Sequence, residues 1–190
     1  MPGNDSLLGA AYFDEARRSF RGYKRLADKA LEQVDDSQFF YAPDSESNSL
    51  AQLVKHISGN VRSRWTDFLT TDGEKPGRDR DQEFVIGPSD TREDLMRRWE
   101  AGFSTVDETL QSLSPQDIMR TVYIRSEPHT VLQAINRSLT HVSHHIGQIL
   151  FLAKTVRGPD WQCLSIPRGK SAEFNARKPH ERKALGPTKG

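Results

Sequence analysis

From residue 5 to residue 34, apolar side chains fall at Leu8, Ala11, Tyr12, Phe20, Tyr23, Leu26, Ala27, Ala30, Leu31 and Val34, with Arg, Lys and Asp between them. Most of these positions are three or four apart, which predicts a long amphipathic helix. Asp35-Asp36-Ser37 reads as its end, and Phe39-Phe40-Tyr41-Ala42-Pro43 as a loop whose aromatic rings tuck back onto the core. A second helix, capped by Asn48 or Ser49, is expected to run to about Leu69 with Leu50, Leu53, Val54, Ile57, Val61, Trp65 and Phe68 as its stripe. Residues 70–88, rich in Gly, Pro, Asp and Arg, read as a long loop, and loops of that length in compact domains often serve function.

A third helix begins near Ser89-Asp90-Thr91, where Thr91-Arg92-Glu93-Asp94 resembles a capping box with Asp in the third place, and runs to about Leu113. Ser114-Pro115 opens a short helical turn. Thr121 to Arg125 has β character without an obvious partner strand and is read as extended. The fourth helix spans roughly Thr130 to Val156, with Val131, Leu132, Ile135, Leu139, Val142, Ile146, Ile149 and Leu150 as its stripe, and stops near Gly158-Pro159. Four long helices and almost no strand signal predict an all-α fold, an antiparallel four-helix bundle with a long loop between the second and third helices. The expected organisation is one domain over residues 1–175 and a flexible, irregular tail over 176–190.

Composition narrows the function without naming it. At 190 residues the chain is long enough to bury a core without disulfides or a structural metal. Its 27 basic and 26 acidic side chains leave a net charge of +1, so no global field recruits nucleic acid or an acidic membrane surface. The single cysteine, Cys163, excludes an intramolecular disulfide. The N-terminal segment lacks a basic stretch leading into an apolar run, and no apolar run approaches the roughly 20 residues that span a bilayer. A cytoplasmic protein is expected.

The chemistry concentrates in histidine. Three of six lie in Ser138-Leu139-Thr140-His141-Val142-Ser143-His144-His145-Ile146-Gly147-Gln148-Ile149. His141 and His145, four apart on a helix, have Cβ atoms about 5–6 Å apart and can share one metal ion if a third ligand arrives from elsewhere. Helical projection turns His144 away from them. On the second helix Ser49, Gln52, His56, Asn60 and Ser63 form an uncharged polar flank of the kind that borders a cavity, with His56 at its middle. In a bundle, His56 would meet the His141/His145 pair between facing helices.

Other residues read more plainly. His144 is expected in solvent, His129 at a helix start and His180 in the tail; Asn60 and Ser63 either line the cavity or bond between helices; Gln148 is either a supporting donor to the site or a surface residue. The three tryptophans read as packing, and Cys163 has no activating neighbour in sequence. Arg78 and Arg80 alternate with Asp79 and Asp81, which reads as self-compensating surface charge, with an anion site as the alternative. No Asp or Glu lies within reach of the histidines on the fourth helix, so any acid/base group must come from the long loop, another helix or a partner subunit.

The lone histidine of Leu53-Val54-Lys55-His56-Ile57, followed by the His141 to Ile149 segment, resembles the DinB/YfiT-like superfamily of metal-dependent enzymes. Asn48-Ser49-Leu50, Ser63-Arg64-Trp65-Thr66-Asp67-Phe68, Asp72-Gly73-Glu74-Lys75-Pro76 and Leu164-Ser165-Ile166-Pro167 resemble an uncharacterised subgroup of it, over roughly residues 5–175. The resemblance implies a divalent metal ion, nickel or zinc, held by His56, His141 and His145, and a homodimer. Members that use low-molecular-weight thiols, such as bacillithiol transferases and the mycothiol-dependent maleylpyruvate isomerase, imply a small-molecule substrate and thiol S-transfer. Three imidazoles leave a coordination position open, and an ion there can lower the pKa of water to about 7 or deprotonate a thiol. Metal-dependent hydrolysis and a non-enzymatic bundle that binds a small ligand around a stabilising metal are the alternatives.

Overall fold

Six helices carry the chain through the computed structural model, which describes residues 4–177: α1 (Asn4–Leu31), α2 (Asp36–Phe40), α3 (Leu50–Trp65), α4 (Arg92–Ser112), α5 (Val131–Arg157) and α6 (Ser171–Ala176). The four long ones are the predicted helices and form a four-helix bundle. Their apolar stripes meet in one core, whose largest fully buried side chains include Trp65, Trp99, Phe39, Leu53, Ile57, Ile135 and Ile146. Three of the four long helices start on a polar cap. Ser49, rather than Asn48, caps α3 in a capping box with Gln52, and Thr130 caps α5 with Gln133. Thr91 accepts from the Asp94 amide at the start of α4.

The packing runs α1 against α4 and α5, and α3 against the same two helices, so α1 and α3 stand at opposite corners although they are consecutive long helices. The connection between them carries α2, which packs on α3 and α5. Asp35 therefore does more than stop α1. Its carboxylate accepts from the Gln38 amide and nucleates α2, placing Phe39 in the core while Phe40 and Tyr41 stay at the surface. The closest helix pair, α3 and α4, depends on Gly102: a Cβ there would lie 2.7 Å from Val61 Cγ2 and 3.3 Å from the Ser58 carbonyl oxygen. The second predicted helix ends earlier than expected, at Trp65, where the chain turns into the loop.

Residues 121–130 form a hairpin, β1 (Thr121–Ile124) paired antiparallel with β2 (Glu127–Thr130), in place of a lone extended segment. Its turn, Arg125-Ser126, holds two non-glycine residues at φ 56° and 63°. Two-residue turns of this kind favour Asn-Gly, because a left-handed backbone costs an ordinary residue about 1–2 kcal/mol. The compensation comes from the long loop. Asp72 accepts from the Arg125 amide at 2.8 Å and from the Ser126 amide at 2.7 Å, while the Gly73 amide donates to Tyr123. Asp72→Ala is accordingly expected to lower stability by about 1–2 kcal/mol, since two charge-assisted bonds that hold a strained turn are lost. Urea unfolding measures this, and a change within about 0.5 kcal/mol would place the control of the turn elsewhere.

Beyond Asp160 the chain is largely irregular but for α6, and most of the expected tail, from residue 178 on, lies outside the described residues. Among the described residues no helix is long and apolar enough to cross a membrane.

Candidate metal centre

α3 and α5 are neighbours in the bundle, and their contact brings His56, His141 and His145 together. One ligand atom from each lies within 4.8 Å of the others. The ring centroids are 5.1 Å apart for His56 and His141, 4.8 Å for His56 and His145, and 4.6 Å for His141 and His145. His56 Nε2 stands 3.1 Å from His141 Nε2. His56 is fully buried, with Phe84 stacked on its ring at 4.5 Å; the other two are half-buried.

The long loop reaches this cluster and completes it. A 3₁₀ turn over Asp81–Phe84 lowers Glu83 onto α3, where the His56 Nδ1–H donates to Glu83 Oε2 at 2.8 Å. An ionised carboxylate only accepts, so this bond sets the proton on Nδ1 and leaves the His56 Nε2 lone pair facing the other histidines. The approach is possible because residue 59, one turn after His56, is glycine: a Cβ there would sit 2.4 Å from Glu83 Oε1. Arg78 holds the carboxylate from the other side, Nε to Oε1 at 2.7 Å and Nη2 to Oε2 at 2.8 Å, and its Nη1 reaches Glu74. Burial opposes ionisation of Glu83, but the bonds from His56 and Arg78 and the charge of Arg78 outweigh it and hold the carboxyl below its ordinary range.

The second pair is tuned in the same direction. Burial, reinforced by the neighbouring His145 and His56 and by the charges of Arg78 and Arg64, pushes His141 down to about 3. Burial also lowers His145, opposed by its bond to Gln148 and aided by His56, His144 and Arg80. The His145 Nδ1–H donates to Gln148 Oε1 at 2.8 Å, so Gln148, which lies at the surface, meets the cluster as an acceptor. His56 and His145 thus commit one ring nitrogen outward and keep the other free. His141 Nδ1 is buried with no partner among the described residues. Imidazoles gathered in this way are the donor set that zinc, nickel and similar divalent ions take, so the residues present fit such an ion.

A cavity of about 460 Å³ opens beside His56 and His141. Asn60 lines it, the first of its two readings, and Trp65, held by an Nε1–H bond to Ser138, forms part of its wall. Ser63 does not line it: its hydroxyl donates to the Gly73 carbonyl and accepts from the Lys75 amide, because that position of α3 has rotated under the loop. His144 is exposed as expected yet reaches the cavity rim, and His129 lies in β2 rather than at the helix start. His180 lies outside the described residues. Arg78 departs most from its sequence reading, being buried and paired with Glu83 and Glu74 instead of with its aspartate neighbours. Glu83 went unrecognised as part of the site. Its signal was Gly59, a gap on the helix one turn from His56.

The chain matches the family described as "Protein of unknown function (DUF1572)" over residues 7–170. No curated protein matches it. Among solved structures it is similar to YfiT from Bacillus subtilis, described as "a probable metal-dependent hydrolase with an unusual four-helix bundle topology", with a TM-score of 0.64 and 19% sequence identity over 79% of this chain and 89% of that one. At that identity the likeness concerns the fold.

Proposed function

The chain belongs to the DUF1572 family, a DinB/YfiT-like group, and from that premise we propose that it is a metal-dependent enzyme whose divalent ion, nickel or zinc, is held by His56, His141 and His145. The observation that carries the reading is the convergence of three imidazoles from two helices, with His56 held by the buried Glu83, at the edge of a cavity. A buried structural histidine needs no such partner set. When bound, the ion supplies Lewis acidity toward water or a thiol near neutral pH.

The remaining work falls to the protein. Glu83 and Gln148 hold the rings of His56 and His145, Asn60 offers hydrogen bonds within substrate reach, and Trp65 and Phe68 exclude water from one wall. We take hydrolysis as the primary reaction, in line with the description of YfiT, with transfer of a low-molecular-weight thiol as its competitor.

Purified protein dialysed against nickel or zinc is expected to retain about one equivalent per chain, and His56→Ala, His141→Ala and His145→Ala to lose it while keeping wild-type helical circular dichroism. Full occupancy in all three variants would sink the proposal. Turnover of an ester or amide panel without added thiol supports hydrolysis, whereas an absolute requirement for thiol moves the reading to S-transfer.

A further inference from the structure

The cavity beside the histidines is more basic than anything else about the chain leads one to expect. Arg64, Arg78, Arg80, Arg125 and Arg137 line it, and no aspartate or glutamate does. The carboxylates behind this wall are already engaged: Glu74 by Arg64, Arg78 and Arg125, and Glu83 by Arg78 and His56. Five guanidinium groups against these two carboxylates and Asp81, which pairs with Arg80, leave a local excess of two positive charges in a protein whose net charge is +1.

Not all of that charge is spoken for. Arg64 is mostly buried and bonds Glu74 through Nη2 at 2.8 Å, but its Nη1 has no hydrogen-bond partner among the described residues. Arg137, on α5 one turn before His141, makes no ion pair among the described residues. Between the charges stand the apolar side chains of Trp65, Phe68, Ile124 and Ala134, with Asn60, Ser138 and Thr140 among them.

We infer that the cavity takes a small organic anion, an apolar body carrying a carboxylate or a phosphate, whose acidic group is received by Arg64 and Arg137 while the body lies against Trp65 and Phe68 next to the histidine cluster. The inference rests on the reading of that cluster as the reactive centre. Guanidinium groups suit both acids because their paired N–H donors match two oxygens at once. A purely electrostatic surface would not need the aromatic wall, and an apolar ligand would not need five arginines.

Calorimetric titration of metal-free, chelator-treated protein with benzoate, phenyl phosphate and neutral benzamide tests this without relying on activity. Both anions, or one of them, are expected to bind while benzamide binds at least tenfold more weakly, and added salt should weaken the anion. The tighter anion names the acid. Arg137→Gln, at an exposed and unpaired position, should bind that anion about tenfold more weakly, and Arg64→Gln should do so as well. Benzamide binding as tightly as the anions, no binding of either anion, or unchanged affinity in both variants would overturn the inference. Metal retention by the same arginine variants keeps the outcome separate from the histidine assignment, which fails only if the histidine variants hold metal.

Discussion

Arg78→Ala is expected to destabilise the protein by about 3–5 kcal/mol, the range for removing one partner of a buried ion pair. The side chains of Arg78 and Glu83 are only 5% and 9% exposed, and two short bonds join them. Glu74 would keep Arg64 and Arg125, but Glu83 would keep only the His56 N–H. A buried carboxylate so deprived recovers by taking up a proton. Its carboxyl would then rise above the unfolded value, and a group raised on folding contributes stability at low pH that is lost as pH rises. The deficit should therefore be larger at pH 8 than at pH 5 in urea unfolding. Arg78→Met combined with Glu83→Gln removes both charges and should restore a substantial part of the loss. A double variant as unstable as Arg78→Ala would show that packing, not charge, is what Arg78 supplies.

Glu83→Gln should leave the bundle folded and lower metal affinity about 10–100-fold, the usual consequence of removing a carboxylate that orients a ligating histidine. Glutamine preserves the size and an acceptor for the His56 Nδ1–H, so what is lost is the charge that makes the opposite nitrogen a better donor. Gly59→Ala approaches the same bond from the helix. Its methyl would meet Glu83 Oε1 at 2.4 Å, and with Arg78 fixing the carboxylate from behind, the loop has to retreat from His56. Both variants should release zinc or nickel to a competing chelator more readily than wild type, with His141 and His145 intact. Wild-type affinity in both would mean that Glu83 is only an ion-pair partner for Arg78.

The two expectations differ in how far they were visible in the chain. The helices were readable because each writes its own evidence locally, in a stripe at helical period and a cap such as Ser49, Thr91 or Thr130. The His141/His145 pair was readable for the same reason, as helical spacing alone puts both on one flank, and the uncharged flank around His56 marked the face that would meet them. Gln148, read either as a donor to the site or as a surface residue, is exposed and accepts from His145. The hairpin was not readable, since Arg125-Ser126 carries no turn signal and its left-handed backbone is held by Asp72, far away in sequence.

What the sequence by itself determined is therefore the set of four helices and the three imidazoles that two of them present, because periodicity and capping act within a few residues. Only the tertiary structure decided that α1 and α3 occupy opposite corners, that Glu83 locks the proton on His56, that Arg78 turns inward, and that five arginines face one cavity. The physical reason is the range of the interactions: a helix is stabilised by neighbours three and four residues away, whereas a buried charge takes whichever partner the packed chain brings within hydrogen-bond distance.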